Sequence, residues 1–521
     1  MLETRFPFHS SHSKADFMNK KLSIPICLLF LVLGDVYPSN ATPSIDPKVM
    51  HVVDRLSFGA RPGDVEAVEK LGVEGYIKQQ LHPESIPEPQ GLTDQLSQLE
   101  TLNLTPLHLF DQMGLPKLPQ GQTLTPEQKR AYRQRMAHVL TQAQQRRLLE
   151  ATESPRQLQE VMVDFWYNHF NVFSRKGPDE MLIGNYEQEA IRSHALGHFR
   201  DLLAATAHHP AMLYYLDNWQ NSAPQTSDAK ASGNSKRAQG LNENYARELM
   251  ELHTLGVDSG YTQQDVIALA KILTGWTFRR TAQPGVEANG FYFDAKRHDF
   301  SDKVFLGHTI KGSGIAEGEQ ALDILAKSPA TAHHISYQLA QYFVADQPPK
   351  ALVDRLSQKF LATDGDIREV LSALFHSSEF WNAQTYRAKF KTPYQYAVSA
   401  VRATGVEVQN FRPIQGLLQQ LGMPLYGCLT PDGYKNTEDV WLNPDAMTRR
   451  ISFATTLASG HLSLITTDDQ SMNRSSSSID PDQLENTLGN SFSTQTRQMI
   501  ATSPTNLRSA LILGSPEFMR R

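Results

Sequence analysis

The chain has 521 residues, of which 40% are hydrophobic and 20% charged, and its formal net charge is −5. This composition supports a large buried core and excludes a disordered polyampholyte. No long basic run is present, which argues against a nucleic-acid partner. The length fits about two to four domains, or one large domain with insertions.

The N-terminal region has the pattern of a secretory signal. Lysines after Met18 precede an apolar stretch over residues 22–33, and small residues follow at Ser39 and Ala41. This stretch is about half the roughly 20 residues that a membrane span needs. We therefore expect residues 1–41 to be a cleaved signal peptide, with Met18 as an alternative start. The mature protein would be periplasmic or extracellular, with no stable membrane span, and any protein partner would be exported too; an uncleaved anchor is the alternative.

Cysteine usage restricts the chemistry of the mature chain. After removal of the signal, Cys428 is the single cysteine. An internal disulfide or a site built from several cysteines is then impossible. A divalent metal, the one cofactor that the sequence suggests, would need His, Asp, Glu or Asn ligands.

Apolar periodicity and capping signals predict a mainly α fold. We expect a large helical domain over residues 48–465, built on αα-hairpins, with helices over 125–150, 154–173, 241–256 and 262–275. The period changes near 290–311, where short strands over 291–294 and 304–310 predict a small β-hairpin insertion. Residues 466–479 are serine-rich and predicted to be flexible, and residues 480–521 are predicted to be a helical stretch that packs on the main domain.

Residues 220–240 form a polar segment without apolar periodicity. A polar loop of about twenty residues inside a domain is usually functional or disordered.

The helix predicted over residues 241–256 contains the densest group of polar side chains. Asn242 is placed as its N-cap and Gly256 as its end. The i, i+3, i+4 and i+7 positions of one face carry Asn244, Arg247, Glu248 and Glu251, and His253 follows. This density is typical of a buried polar or metal site, but an ion-paired surface face has the same pattern and is more common.

Two further segments carry candidate groups. Asp164, Asn168 and His169 lie within an aromatic helix, where a histidine is more often a hydrogen-bonded core residue than a ligand. His298 and Asp299 lie in a predicted turn between the short strands, and turn residues often carry function. A lone His-Asp pair remains weak evidence.

Several segments resemble one bacterial family. They include Phe165-Trp-Tyr-Asn-His-Phe, Leu216-Asp-Asn-Trp, Asn242-Glu-Asn-Tyr-Ala-Arg-Glu, Leu273-Thr-Gly-Trp and Trp441-Leu-Asn. In this order they are similar to segments of the family called domain of unknown function 1800, over about residues 48–460. The resemblance implies an exported, mostly helical protein, but it implies no reaction and therefore no catalytic residue.

Two hypotheses follow. The first is an exported, metal-assisted hydrolase. Its catalytic residues would be His169, Arg247, Glu248 and His298, and its metal ligands would be Asp164, His169, Glu243, Glu251 and Asp299. Its substrate contacts would be Asn168, Trp219 and Asn242. The second is a non-catalytic exported binding or scaffold protein, in which the polar helix is a structural ion-pair network. A catalytic site requires the His169 helix, the polar helix and the His298 turn to meet at one cleft.

Overall fold

The computed structural model describes residues 45–115, 123–223, 240–464, 478–489 and 492–521. The predicted signal peptide, most of the polar segment 220–240 and most of the serine-rich segment lie outside the described residues. Residues 45–521 cluster as one unit.

Helices dominate the described residues, as predicted. Helices α1 to α12 are Pro47–Leu56, Asp64–Leu71, Val73–Gln80, Gln90–Ser97, Pro106–Gln112, Pro126–Glu153, Gln157–His169, Asp179–Asn185, Phe199–His208, Pro210–Tyr215, Asn244–Glu251 and Gln263–Ile272. Helices α13 to α23 are Ile315–Ala326, Pro329–Phe343, Lys350–Ala362, Ile367–Phe375, Pro393–Thr404, Arg412–Gln420, Glu438–Trp441, Pro444–Ala458, Pro481–Thr487, Thr494–Thr502 and Thr505–Leu513. The mainly α class is confirmed. None of these helices is both long and apolar enough to cross a membrane.

Helix boundaries follow local capping where a cap is present. Thr125 and Gln128 form a capping box at the start of α6, and Thr262 and Asp265 form another at the start of α12. Helix α7 starts at residue 157 and ends at residue 169, which is shorter than the predicted range 154–173. Beyond its end, the Asn171 side chain donates hydrogen bonds to the carbonyls of residues 428 and 430, which ties this segment to a distant loop.

The small β insertion is present, but its pairing differs from one simple hairpin. Strand β1 (Trp276–Phe278) pairs with β2 (Phe291–Phe293), and β3 (Lys303–Phe305) pairs with β4 (His308–Ile310). The predicted strand 304–310 therefore folds back on itself. Its turn residues Leu306 and Gly307 both have positive φ, which matches the right-handed twist of a two-residue hairpin.

A buried arginine joins the longest helix to its neighbours. Arg147 of α6 donates to Asp164 of α7 at 2.6 Å and to Glu187 at 2.8 Å. Glu187 lies on a π-helical segment, Tyr186–Ile191. The guanidinium also lies over three tyrosine rings, at 5.0–5.4 Å from their centroids: Tyr167, Tyr394 and Tyr426. Two buried carboxylates are thus paired with one cation.

A second buried cluster continues this network. Arg192 pairs with Glu150 at 2.6 Å and with Glu160 through both terminal nitrogens. Burial raises the pKa of Glu160 to about 7, although Arg192 opposes that change. Helices α6 and α7 are therefore linked by ion pairs at two places, one that includes Glu187 of the π-helical segment and one through Arg192, which directly follows it.

The C-terminal helices pack on the same core. Helix α23 contacts α20, and α21 contacts α17. The backbone N–H of Lys391 donates to the carbonyl of Met519 at 2.9 Å, and the N–H of Arg521 donates to the carbonyl of Lys389 at 2.8 Å. Residues 519–521 thus run beside the segment that leads into α17.

Replacing Arg147 should test how far the fold depends on this pairing. We expect Arg147→Met to lower the free energy of unfolding by about 3–5 kcal/mol, because two buried carboxylates would lose their cation. Urea unfolding followed by circular dichroism measures the change. Arg449→Met, at an exposed pair with Asp445, is the control and should cost less than about 1 kcal/mol. Equal effects of the two substitutions would contradict this account.

Candidate functional site

A cleft of about 260 Å³ lies where five segments meet. They are the C-terminal half of α7, the end of α11 with the residues after it, α14, the residue before α17, and a loop over residues 423–436. Its lining is polar and aromatic: Asp164, Phe165, Asn168, His169, Glu251, Leu252, Val257, His334, Gln338, Gln341, Tyr342, Thr392, Met423, Asp432, Tyr434, Lys435 and Asn436. This is the mixed lining that small-molecule sites have.

Asp164 forms the charged part of the cleft's buried wall. Arg147 donates to its Oδ1 atom, while among the described residues Oδ2 has only a long contact of 3.5 Å from the Tyr342 hydroxyl. Burial raises the pKa of Asp164, and the adjacent Arg147 opposes that rise. One oxygen is therefore held in place and the other keeps most of its capacity to accept hydrogen bonds.

His169 is a neutral, buried imidazole. Its Nε2 atom lies 3.1 Å from the carbonyl oxygen of His253, so this nitrogen carries the proton and donates. Burial, with a smaller contribution from His334, lowers the pKa of His169 to about 3. The ring is therefore uncharged at neutral pH and contacts the chain just beyond α11.

His334 holds the same end of α11, and its ring centroid lies 6.3 Å from that of His169. Its Nε2 atom lies 3.3 Å from the Leu252 carbonyl, and burial lowers its pKa. Gly256 has φ of +90°, and a side chain there would come within 3.1 Å of the His334 ring. The last carbonyls of a helix have no intrahelical partner; here, two imidazoles from other helices occupy carbonyls just beyond that end.

The polar helix divides its charged residues between two environments. Glu251 lines the cleft and accepts a hydrogen bond from the Tyr261 hydroxyl. Arg247 instead bonds Gln263 at 2.9 Å and lies 3.5 Å from Glu243 and 3.3 Å from Glu251. Arg247 and Glu243 are 38% and 36% exposed and do not line the cleft. Their cluster is a hydrated ion-pair network of modest strength.

Glu248 differs from its neighbours on the helix. Among the described residues, its carboxyl group has no hydrogen-bond or ion-pair partner. Burial raises its pKa, and the nearby charges of Glu251 and Asp432 add to the rise, while Arg247 opposes it. This is the environment that favours a protonated carboxyl group.

The loop over residues 423–436 is the part of the cleft that the sequence did not predict. Asn168 clamps it: the Asn168 amide donates to the Tyr434 carbonyl at 2.8 Å and accepts from the Tyr434 N–H at 2.7 Å. Gly433 has φ of +68°, and a Cβ there would collide with the Asn168 carbonyl. Asn168 thus positions the loop. The sequence signal that could have located it is the turn-forming segment Pro431-Asp-Gly, which ends at Gly433.

Seven of the eleven predicted site residues do not line this cleft: Glu243, Arg247 and Glu248 of the polar helix, and Trp219, Asn242, His298 and Asp299. Buried His298 bonds the Thr274 carbonyl and Glu317, each at 2.8 Å, and Glu317 also pairs with Lys303. The Asp299 side chain accepts from Ser301. Trp219 stacks on Tyr214, and Asn242 accepts the N–H of Asn244 at the start of α11. The His298 turn therefore does not meet the His169 helix and the polar helix at this cleft.

The five predicted metal ligands do not converge on one point. Asp164, His169 and Glu251 line the cleft, whereas Glu243 faces Gln263 and Asp299 lies beside the His298 cluster. Among the residues that the structure describes, no group of three or more His, Cys, Asp or Glu side chains could hold a metal ion.

Comparison with known proteins defines the family. A family model described as a protein of unknown function, DUF1800, matches residues 51–520. The chain belongs to this family. No curated protein and no solved structure matches it. In this DUF1800 chain, the matched range includes every segment that lines the cleft.

The neutral state of His169 leads to a pH prediction. The folded pKa of about 3 lies below the ordinary value of 6.5, so the unfolded chain binds a proton first as the pH falls. The stability that neutral His169 contributes is complete above pH 6.5 and is lost as the pH falls from 6.5 towards 3. Between pH 6 and 4, the free energy of unfolding should therefore fall less steeply with falling pH in His169→Gln than in the parent. The difference in slope should be about 1.4 kcal/mol per pH unit.

The control for this measurement is His333→Gln, since His333 is exposed. Its slope should match that of the parent. An unchanged slope in His169→Gln would show that His169 is not a buried neutral group.

Proposed function

We propose that this DUF1800 protein is an exported protein that binds a small polar ligand in the cleft. The observation that carries the proposal is the construction of the cleft: segments far apart in the chain surround one polar cavity, and specific side-chain bonds hold two of them in place. Asn168 holds the loop, and His169 and His334 hold the end of α11. Such preorganisation lowers the entropy lost on binding. Export rests on the residues around Met18–Ala41 alone.

Unused hydrogen-bonding capacity in the lining supports binding. Asn436 Oδ1 is buried and has no partner among the described residues. A buried polar atom without a partner costs about 1–3 kcal/mol. A ligand that donates a hydrogen bond to this oxygen would offset that cost.

A hydrolase is the second candidate, and Glu248 favours it. A carboxyl group with a raised pKa and no partner is suited to act as a general acid. We propose this activity without a resident metal, because the described ligand-type side chains do not assemble a three-residue set. Arg247 belongs to the exposed network in this proposal.

Blocking the cleft tests the binding function. Val257 lines the cleft and its side chain is exposed, so Val257→Trp should fill the opening. We expect polar fragments detected by ligand-observed NMR with the parent to bind about ten-fold more weakly or not at all, a loss of about 1.4 kcal/mol or more. Leu429→Trp is the control, since Leu429 is exposed but does not line the cleft. Absence of any hit, or hits that survive in Val257→Trp, would refute the proposal.

Glu248→Gln tests the second candidate. Chromogenic esters, glycosides and aminoacyl anilides are the substrates to screen. Any turnover by the parent should fall by about 10²–10⁴-fold in Glu248→Gln, as expected for loss of a general acid. Glu243→Gln, on the exposed side of the same helix, should retain it. Turnover that EDTA abolishes and a divalent ion restores would instead support the metal-assisted hydrolase.

A further inference from the structure

We infer that the ligand of this cleft carries an organic cation, an ammonium or guanidinium group. This inference rests on the proposed binding function and specifies its ligand class. It is drawn from the charges, the unused acceptors and the aromatic rings that the cleft brings together.

Negative charge exceeds positive charge around the cleft. Its lining contains the carboxyl groups of Asp164, Glu251 and Asp432 and the single cation Lys435. Glu248 lies near enough to Glu251 and Asp432 for their charges to raise its pKa. A ligand cation would relieve this repulsion between like charges.

The cations that contact the carboxyl groups of the lining already have partners. Arg147 is held between Asp164 and Glu187, and Lys435 pairs with Asp432 at 2.9 Å. Arg247 is shared between Glu243 and Glu251 and lies outside the lining. Lys435, the cation of the lining, is therefore already paired with a carboxylate.

A buried acceptor supports the same conclusion independently of the acidic residues at the opening. Asp164 is 7% exposed, and among the described residues its Oδ2 atom has only the 3.5 Å contact from Tyr342. Asn436 Oδ1 is a further buried acceptor and has no partner among those residues. These two acceptors lack a close donor, and ammonium and guanidinium groups are donors only.

Aromatic rings complete a site of this kind. Phe165 and Tyr342 lie edge to face, with ring centroids 5.3 Å apart, and Tyr434 lines the same cleft. Tyr342 already packs against a cation, since the Arg521 guanidinium lies 4.4 Å from its ring centroid. The rings of Phe165 and Tyr434 can contribute further cation–π attraction.

Three probes of matched size separate charge from shape: butylguanidinium, neutral butylurea and hexanoate. We expect calorimetric titration of the full chain to show butylguanidinium binding about ten-fold more tightly than butylurea, a difference of about 1.4 kcal/mol, and no detectable binding of hexanoate. Glu251→Gln and Asp432→Asn should each weaken the binding of butylguanidinium by about three-fold or more, as expected for partly exposed charges. Glu243→Gln, which removes a carboxylate outside the lining, should not.

The failures of the two proposals are distinguishable. Butylurea that binds as tightly as butylguanidinium, and is blocked by Val257→Trp, would overturn the cation inference and leave the binding function standing. Preferential binding of hexanoate would overturn the inference in the same way. No binding of any probe would also overturn it, and the fragment screen with Val257→Trp would then decide the binding function separately.

Discussion

The pairing of Arg147 with Asp164 and Glu187 is the constraint on which the rest of the site depends. An unpaired buried carboxylate is costly, so the three groups must remain together in the folded chain. This joins α6, α7 and the π-helical segment, and three tyrosine rings surround the guanidinium. Because Asp164 also lines the cleft, the same contact that links the helices fixes one wall of the candidate site.

The second constraint is the neutral state of two imidazoles. His169 and His334 lie on different helices, and both contact carbonyl oxygens just beyond α11. Burial keeps them uncharged, which allows them to lie close together and act as hydrogen-bonding groups in a low-dielectric interior. They set the position of the helix whose Glu251 brings a carboxyl group to the cleft. His169 and His334 therefore stabilise the fold and, by positioning α11, also shape the candidate site.

The polar helix combines the two roles that its sequence left open. Arg247 and Glu243 form an exposed ion-pair network with Gln263, as a structural helix face would. Glu251 contributes to the cleft, and Glu248 remains without a partner among the described residues. One helical face thus serves both the packing of α11 against α12 and the electrostatics of a binding site. The loop held by Asn168 supplies the opposite side of that site.

The sequence by itself determined the helical class, the capped starts of α6 and α12, the region of the β insertion and the family. These features depend on local periodicity, on capping side chains and on matching segments, all of which are present in a short stretch of chain. Only the tertiary structure decided that His169 meets Glu251 and the loop carrying Tyr434, while His298 joins Glu317 and Lys303 elsewhere. Helical spacing shows which residues share a face, but it does not show what that face packs against. Asn168 contacts Tyr434 across 266 positions of the chain, and no local pattern encodes such a contact.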